Sequence, residues 1–410
     1  MREYERTYPW IRFRADLRSA PVELWMLLGE ARSKCEHIAG VPLLPAVADR
    51  LHRLYLAKGV AATTAIEGNT LSEAQVAEHL EGRLRLPPSK QYLAQEVDNI
   101  VLACQRIASE LSGPSFPPLS ADVIKEFNRI VLDRLELEPG VVAGQIRTYP
   151  VGVARYRAAP WEDCEFLVDR LCAWLNGPEF EPGSAELAPV YAIIKAVLAH
   201  LYIAWIHPFG DGNGRTARLV EFRILAAGGY PTPIAHLLSN HYNQTRSVYY
   251  ARLREASESG GDVVSFLLYA VRGFVEELKA QLDVVRGQQW TVAWRDYVYS
   301  RFRDNLSPAS QRQRVMVLAL TAAAHPVPAD GIRSLAPKVA ELYAQKTSKT
   351  LARDLAAVLD MGLIEKTEGG YRARMEAILA FLPLRRLPGS PADQAPDAAP
   401  RPDTAGAPNA

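Results

Sequence analysis

The sequence has few cysteines, and their arrangement indicates neither a disulfide scaffold nor a zinc site. The four cysteines, Cys35, Cys104, Cys164 and Cys172, include no C-x-x-C pair and have no companion histidines at zinc spacing. The N-terminus also lacks an apolar segment, and two of its first five residues are acidic. We therefore expect no secretory signal, and we predict a cytoplasmic protein.

Neither sign of charge predominates, and long hydrophobic runs are absent. The 47 Lys+Arg residues nearly balance the 46 Asp+Glu residues, so a nucleic-acid or membrane role would require a local patch. The most apolar segment follows Pro189 but is interrupted by Lys195 and His200, and its uninterrupted runs fall far short of the roughly 18 residues that a bilayer needs. This pattern predicts a buried central helix, and no contact with a membrane is expected.

The dominant apolar period is helical, so we predict a mainly α protein, and Ser120 is predicted to cap the helix that begins after it. The length indicates roughly two or three domains. Pro and Gly clusters divide the chain into a helical region at 1–110, a helical core at 111–285 and a helical connector at 286–306, followed by a small domain at 307–384. Residues 385–410 form a Pro- and Ala-rich tail that we predict to be disordered. Within the core, residues 140–161 indicate an extended loop or irregular hairpin.

The small C-terminal domain has the pattern of a winged helix. Three short helices are predicted over 310–324, 331–342 and 347–361, followed by two short strands around a Gly turn. The third helix carries Lys346, Lys349 and Arg353, which could contact DNA phosphates. DNA binding and protein docking both remain open for this domain. Tight DNA binding by one copy per chain would require a homodimer.

The segment I-H-P-F-G-D-G-N-G-R-T-A-R, residues 206–218, carries the chemistry. A Gly-rich turn that leads into a helix directs successive backbone N–H groups at one point, where the helix dipole adds positive charge. Arg215 and Arg218 are three residues apart on the new helix, and we expect both to project toward that point. The arrangement predicts a phosphate-binding cradle. The Walker pattern is absent, so this cradle is not a P-loop.

Two further side chains in this segment complete a nucleotide site. Asp211 offers a carboxylate of the kind that Mg²⁺ uses beside phosphates. His207 lies at the mouth of the turn, and an imidazole suits the removal of a proton from a hydroxyl near neutral pH. The combination predicts phosphoryl or nucleotidyl transfer.

The same segment fits H-x-F-x-[DE]-G-N-G-R-x-x-R at every fixed position, which is the signature of Fic domains. The chain resembles the Fic family over about residues 111–282 as an all-helical core with a short β-hairpin flap. It resembles N-terminal Fic-associated helices more loosely over much of the first 110 residues. The resemblance implies transfer of AMP from ATP to a hydroxyl of a target protein, on Thr, Ser or Tyr.

The resemblance also implies a role for each matching residue. His207 would be the general base, Asp211 the Mg²⁺ ligand, and residues 144–153 the flap that holds the target main chain. The anion hole would be formed by Gly212, Asn213 and Gly214, with Arg215 and Arg218 holding the β and γ phosphates. Tyr249 and Tyr250 would line the adenine side.

A second motif precedes this core. Thr63–Gly68 fits [ST]-x-x-x-E-[GN], the inhibitory helix motif of Fic proteins that restrain their own activity. The resemblance implies that Glu67 pairs with Arg218 and withholds it from the γ-phosphate of ATP. Gly68 and Asn69 suit a left-handed helix end, and residues 70–73 are predicted to form the capping box of the next helix.

Three functions are consistent with the sequence. The first is a self-inhibited protein adenylyltransferase that uses ATP and Mg²⁺. The second is a de-AMPylase in the same pocket, because in some relatives the same glutamate positions a water that removes AMP. The third is a winged-helix transcription regulator in which the pocket only senses nucleotide.

Overall fold

The structure is a computed structural model that describes residues 2–113, 116–153, 156–305 and 307–378. The described chain divides into two compact units, residues 1–288 and residues 289–410. The predicted tail at 385–410, and the end of the predicted small domain at 379–384, lie outside the described residues. Both units are mainly helical, as predicted.

The first unit consists of helices around one hydrophobic core. Its helices are α1 (Glu3–Thr7), α2 (Val22–Gly40), α3 (Pro45–Ala65), α4 (Glu73–Leu80), α5 (Gln91–Leu111), α6 (Ala121–Val131), α7 (Trp161–Leu175), α8 (Ala188–Ile206), α9 (Asn213–Ala227), α10 (Thr232–Ala235), α11 (Leu237–Gln244), α12 (Arg246–Glu258) and α13 (Val263–Arg301). The first 110 residues therefore share their core with the residues that follow, because α3 and α5 pack directly against α9. The predicted boundary near residue 110 separates no independent unit.

Helix α8 is the central helix that the sequence predicts. Of its 19 residues, 13 are buried, and it packs mainly against α9. The stretch Ala185–Ile206 is long and apolar enough, by composition, to cross a membrane, yet most of it is enclosed by the rest of the unit. Burial in a helical core accounts for this composition.

The helix starts follow from local capping. Ser120 accepts a hydrogen bond from the Val123 amide and caps α6, as predicted. The capping box of α4 is different from the prediction, because it is formed by Ser72 and Gln75 rather than within residues 70–73. A serine immediately before the helix satisfies the third amide, whereas Thr70 lies too early to reach it.

A two-stranded hairpin interrupts the helices of the first unit. Strand β1 (Gly152–Val153) pairs with β2 (Tyr156–Arg157) in antiparallel register. The preceding segment is irregular, with one isolated bridge between Ile146 and Phe209. The predicted irregular hairpin is therefore confirmed, although only its last two residues within 144–153 form a strand.

Helix α13 continues through the predicted connector at 286–306. This stretch contains no proline and a single glycine, so nothing in it ends the helix before Arg301. Trp294 and Val298, on the later part of α13, belong to the core of the second unit. The predicted helical connector is therefore the last part of α13, up to Arg301.

The second unit contains three helices and a hairpin after α13. They are α14 (Pro308–Thr321), α15 (Pro337–Tyr343), α16 (Ser348–Asp360), β3 (Ile364–Thr367) and β4 (Gly370–Ala373). A bridge between Val327 and Tyr371 adds a third short pairing. The predicted second helix is divided, because Gly331–Ser334 forms a 3-10 turn and Pro337 starts a new helix. The order of elements agrees with the winged-helix pattern, which stays a prediction.

Candidate active site

The loop between α8 and α9 is held in a tight turn by its own residues. His207 ends α8 with a left-handed backbone (φ 50°), and Gly212 has φ 75° immediately before α9. Phe209 is buried in the core. Its amide and carbonyl both bond to the Asn213 side chain, at 2.9 and 2.8 Å. The Asn213 side chain therefore fixes the turn, and its backbone N–H group is the part available to an anion.

A cavity of about 670 Å³ opens above this loop. It brings together most of the residues that the sequence singles out. Those that line it are Glu67, His207, Asp211, Gly212, Asn213, Gly214, Tyr249 and Tyr250. Within the described part of the chain, Arg215 and Arg218 do not line the cavity, because their side chains are buried behind its wall.

Glu67 and Arg218 form the predicted ion pair. Arg218 donates from Nη2 to Oε1 of Glu67 at 2.6 Å and to the Thr63 carbonyl at 3.0 Å. The Arg218 side chain is 1% exposed, whereas that of Glu67 is 32% exposed. Although burial opposes ionisation, the guanidinium holds the pKa of Glu67 below its usual value. Gly68, at φ 105°, allows the chain to turn immediately after the carboxylate.

Glu67 also lies against the start of α9. A methyl group on Gly214 would overlap Oε1 of Glu67, so the carboxylate occupies the space in front of the helix N-terminus. A carboxylate is favoured there by the same N–H groups and dipole that favour a phosphate. The anion cradle is therefore in contact with an anion that the chain itself supplies.

Arg215 differs from the expectation that both arginines point to one place. Its Nη1 donates to Glu96 of α5 at 3.3 Å, and its Nη2 donates to Asp211 at 3.4 Å. Arg215 and Arg218 therefore bind carboxylates on different elements. The helical spacing placed both side chains on one face, but it carried no information about Glu96, which lies 119 residues away in sequence.

His207 is neutral in the structure at physiological pH. Burial, together with the positive charge of Arg147, lowers its pKa to about 4. A neutral imidazole can accept a proton from a hydroxyl, which is the state that a general base needs.

Arg147 is a functional candidate that the sequence did not identify. It is 4% exposed, and its guanidinium donates to the carbonyls of His207 (2.8 Å), Tyr149 (2.8 Å) and Ala159 (2.5 Å). Its amide donates to the Pro208 carbonyl at 3.0 Å. One side chain thus ties the end of α8 to the segment before the hairpin. Its partners are backbone atoms, and the His207 carbonyl lies 60 residues away in sequence, so no motif signals this side chain.

Asp211 is suited to a metal that also binds phosphate. Its carboxylate is 55% exposed, and Oδ1 accepts from the Gly212 amide at 2.5 Å. Across the described residues, no group of three or more His, Cys, Asp or Glu side chains could hold a metal ion without other ligands. Mg²⁺ fits this donor set, because it commonly takes one or two carboxylates and completes its octahedron with phosphate and water.

The opposite wall of the cavity is aromatic. Tyr249 is 3% exposed and hydrogen-bonds through its hydroxyl to Nε2 of His200 at 2.8 Å. His200 is fully buried and faces the Glu221 carboxylate. Tyr250 is 39% exposed and donates to the Ile66 carbonyl at 3.4 Å. His200 therefore makes its contacts inside the core, behind Tyr249.

Comparison with known proteins agrees with this geometry. A family model described as Fic/DOC family matches residues 118–225. The chain is 34% identical over 211 residues to a protein adenylyltransferase fic-1 of Caenorhabditis briggsae, covering 51% of this chain and 38% of that protein. It is 30% identical over 210 residues to a protein adenylyltransferase Fic of Nematostella vectensis, covering 51% and 45%. The match spans less than half the length of these curated relatives.

Solved structures show the same fold. A Fic family protein from Desulfovibrio desulfuricans has a TM-score of 0.54 at 18% identity, covering 88% of this chain and 98% of that chain. A fragment of Fic-1 from C. elegans has a TM-score of 0.52 at 28% identity, covering 64% and 73%. The first of these likenesses concerns the fold alone.

Proposed function

We propose that the chain, in which residues 118–225 match the Fic/DOC family model, is a protein adenylyltransferase. The reaction transfers AMP from ATP to a Ser, Thr or Tyr hydroxyl of a target protein. The observation that carries the proposal is the single cavity in which His207, Asp211 and the N-terminus of α9 meet.

The neutral imidazole of His207 takes the proton of the target hydroxyl. The hydroxyl oxygen then forms a bond to the α-phosphorus, and the bond from that phosphorus to the bridging oxygen breaks. Pyrophosphate leaves with the electron pair. The N–H groups at the start of α9 bind the phosphate oxygens, and they need no rearrangement as negative charge develops. The hairpin edge at Gly152 is the candidate to hold the target main chain.

Asp211 would hold Mg²⁺, with phosphate oxygens and water as the other ligands. When bound, the ion neutralises phosphate charge and orients the triphosphate. The hydrogen bond from Arg215 holds the Asp211 carboxylate at the cavity edge. Tyr249 and Tyr250 supply the flat apolar wall against which a purine ring can stack.

We infer that this activity is restrained by Glu67. The carboxylate holds Arg218 and occupies the space beside Gly214, so ATP cannot obtain that arginine while the pair is intact. Separation of the pair is required before the γ-phosphate gains its guanidinium partner.

Label transfer from α-phosphate-labelled ATP tests the proposal. Purified wild-type, Glu67→Gly and His207→Ala proteins are compared by labelling and by intact mass for an added AMP. We expect self-labelling, or labelling of proteins in an extract, to rise in Glu67→Gly and to be lost when His207→Ala is added. Equal labelling in all three variants would refute the proposal.

AMP removal is the alternative in the same cavity. Glu67 is close enough to His207 for its carboxylate to affect the pKa of the imidazole. A carboxylate in this place suits the positioning of a water. Release of AMP from a modified protein by the wild type, lost in both Glu67→Gly and His207→Ala, would favour removal over addition.

DNA binding by the second unit is a separate proposal. Lys346 is exposed just before α16, and Lys349 and Arg353 are exposed on its N-terminal half. Side chains in this position meet phosphates and base edges when such a helix enters a major groove. A gel shift with mixed duplex DNA at two salt concentrations tests it, with Lys346, Lys349 and Arg353 changed to Gln as the control. A homodimer would show as a complex of two chains per duplex, and a shift insensitive to salt would contradict the proposal.

A further inference from the structure

The turn that carries Glu67 is attached to α5 by a buried asparagine. Asn69 is 7% exposed. Its Nδ2 donates to the Leu93 carbonyl at 2.9 Å and to Oε2 of Glu96 at 2.7 Å, and its Oδ1 accepts from the Leu71 amide at 2.9 Å. Because Asn69 lies two residues after Glu67, these bonds fix the backbone from which the Glu67 carboxylate reaches Arg218.

Glu96 extends this attachment to the Fic helix α9. One carboxylate oxygen accepts from Asn69 and the other accepts from Nη1 of Arg215. Arg215 in turn donates to Asp211. A continuous path of hydrogen bonds therefore runs from the Glu67–Asn69 turn through Glu96 to Arg215. From Arg215 it reaches Asp211, the predicted Mg²⁺ ligand. The Glu96 side chain is 17% exposed, so water only partly screens the electrostatic interactions that it makes.

Both arginines retain buried nitrogens without hydrogen-bond partners. They are Nε of Arg215 and Nε and Nη1 of Arg218, as judged over the described part of the chain. A buried N–H group without a partner is costly, and the guanidinium groups are therefore not fully satisfied by Glu67 and Glu96. Phosphate oxygens would supply the missing acceptors.

We propose that Glu96 is a positioning residue with two effects on the cavity. Through Asn69 it holds the turn so that Glu67 stays on Arg218, and through Arg215 it removes positive charge from the phosphate cradle. The two arginines are thus restrained by two carboxylates that are joined through one asparagine. This inference deepens the proposed function and rests on it.

Loss of the Asn69 link tests the first effect. We expect Asn69→Ala to raise label transfer about tenfold, because loss of the three side-chain hydrogen bonds of Asn69 lets Glu67 leave Arg218 more often. In the Glu67→Gly background the same substitution should give no further increase, since the restraint is already absent. Gln95→Ala is the matched control: Gln95 precedes Glu96 on α5 but bonds to Asn99, away from the turn. It should label as the wild type does.

Removal of the Glu96 charge tests the second effect. Glu96→Gln keeps an oxygen that can accept from Asn69 but loses the negative charge beside Arg215. In the Glu67→Gly background we expect it to tighten ATP binding about fivefold in calorimetry, because the cradle gains one net positive charge. Damage to the fold would weaken binding, so tighter binding separates positioning from a merely structural role. Binding that is unchanged or weaker in a protein with a native melting profile would overturn this part.

The two proposals fail in different ways. If Glu67→Gly labels strongly while folded Asn69→Ala labels only as the wild type does, the role of Glu96 in holding the turn is wrong and the adenylyltransferase proposal stands. If Glu67→Gly does not label at all, the adenylyltransferase proposal fails first. The calorimetric comparison of ATP binding still decides the electrostatic role of Glu96, because it requires no turnover.

Discussion

The Arg218 guanidinium donates to the Glu67 carboxylate across 2.6 Å, and the two residues lie 151 positions apart in the sequence. The arginine is fully enclosed while the glutamate faces the cavity. A buried guanidinium needs an anionic partner, so the pair stabilises the nucleotide-free protein, and under the proposed function it also withholds Arg218 from phosphate. A triphosphate that displaces Glu67 replaces one anion by another.

Loss of this pair should therefore reduce stability in a way that nucleotide restores. We expect Glu67→Gly to lower the free energy of unfolding by about 1–3 kcal/mol, the effect of leaving a buried charged group without its partner. Saturating Mg²⁺–ATP should raise the Tm of this variant more than that of the wild type, because binding no longer has to break an ion pair. Thermal melting with and without nucleotide measures both effects. If Mg²⁺–ATP shifts the Tm of both proteins equally, the triphosphate does not take the place of the Glu67 carboxylate.

A side chain at position 214 should separate the displacement of Glu67 from the gain in AMP transfer. A methyl group there would overlap Oε1 of Glu67, so Gly214→Ala should displace the inhibitory carboxylate. The same methyl group would stand in the space that phosphate oxygens need. We therefore expect no gain in label transfer and weaker ATP binding, unlike Glu67→Gly. Gly183→Ala, at a position with open space around it, is the control and should leave both properties unchanged.

Arg147 should affect catalysis through the position of His207. Arg147→Lys keeps the positive charge but replaces the three nitrogens that donate to separate carbonyls by a single nitrogen. In the Glu67→Gly background we expect label transfer to fall by about 10- to 100-fold, as small displacements of a catalytic group commonly cause. ATP affinity should change little, because Arg147 does not line the cavity among the residues that the structure describes. Full labelling at a lower Tm would mean that Arg147 supports the fold alone.

The sequence predicted the parts of the site that are local in the chain. The Gly-rich turn and helix start at residues 206–218, the left-handed end at Gly68 and the capping of α6 by Ser120 all depend on neighbours within a few residues. The partners of Arg147, Asn69 and Arg215 could not be predicted in this way, because each contacts an element from 24 to 119 residues away. The pairing of Glu67 with Arg218 was expected only through resemblance to the Fic family.

The periodicity predicted helices, and it did not predict which core each helix joins. The stretch after residue 285 was predicted to be a helical connector, and α13 continues through it to Arg301. Trp294 and Val298 of that stretch belong to the core of the second unit, whereas α3 and α5 from the first 110 residues share the core of the first unit. Periodicity reports only that a helix has an apolar face.

Acid should destabilise the protein before its carboxylates are protonated. Burial lowers the pKa of His207 and of His241 to about 4 and that of His236 to about 3, against about 6.5 in an unfolded chain. Between pH 6.5 and 4 these histidines are neutral in the folded protein and protonated in the unfolded protein. The unfolded state then binds more protons, so the free energy of unfolding falls as the pH falls. The decrease is about 1.4 kcal/mol per pH unit for each histidine that is fully protonated in the unfolded state and fully neutral in the folded state.

A single substitution isolates one of these contributions. His236 stacks on Phe222 with ring centroids 4.4 Å apart, so His236→Phe offers an apolar ring of similar size at this buried position. We expect the slope of unfolding free energy between pH 7 and pH 5 to decrease by about one third, since one of three titrating groups is lost. Urea unfolding at several pH values measures the slope. His37→Gln, at an exposed position on α2, is the control and should leave the slope unchanged. A slope that is the same in His236→Phe as in the wild type would show that the imidazole of His236 is not held neutral by burial.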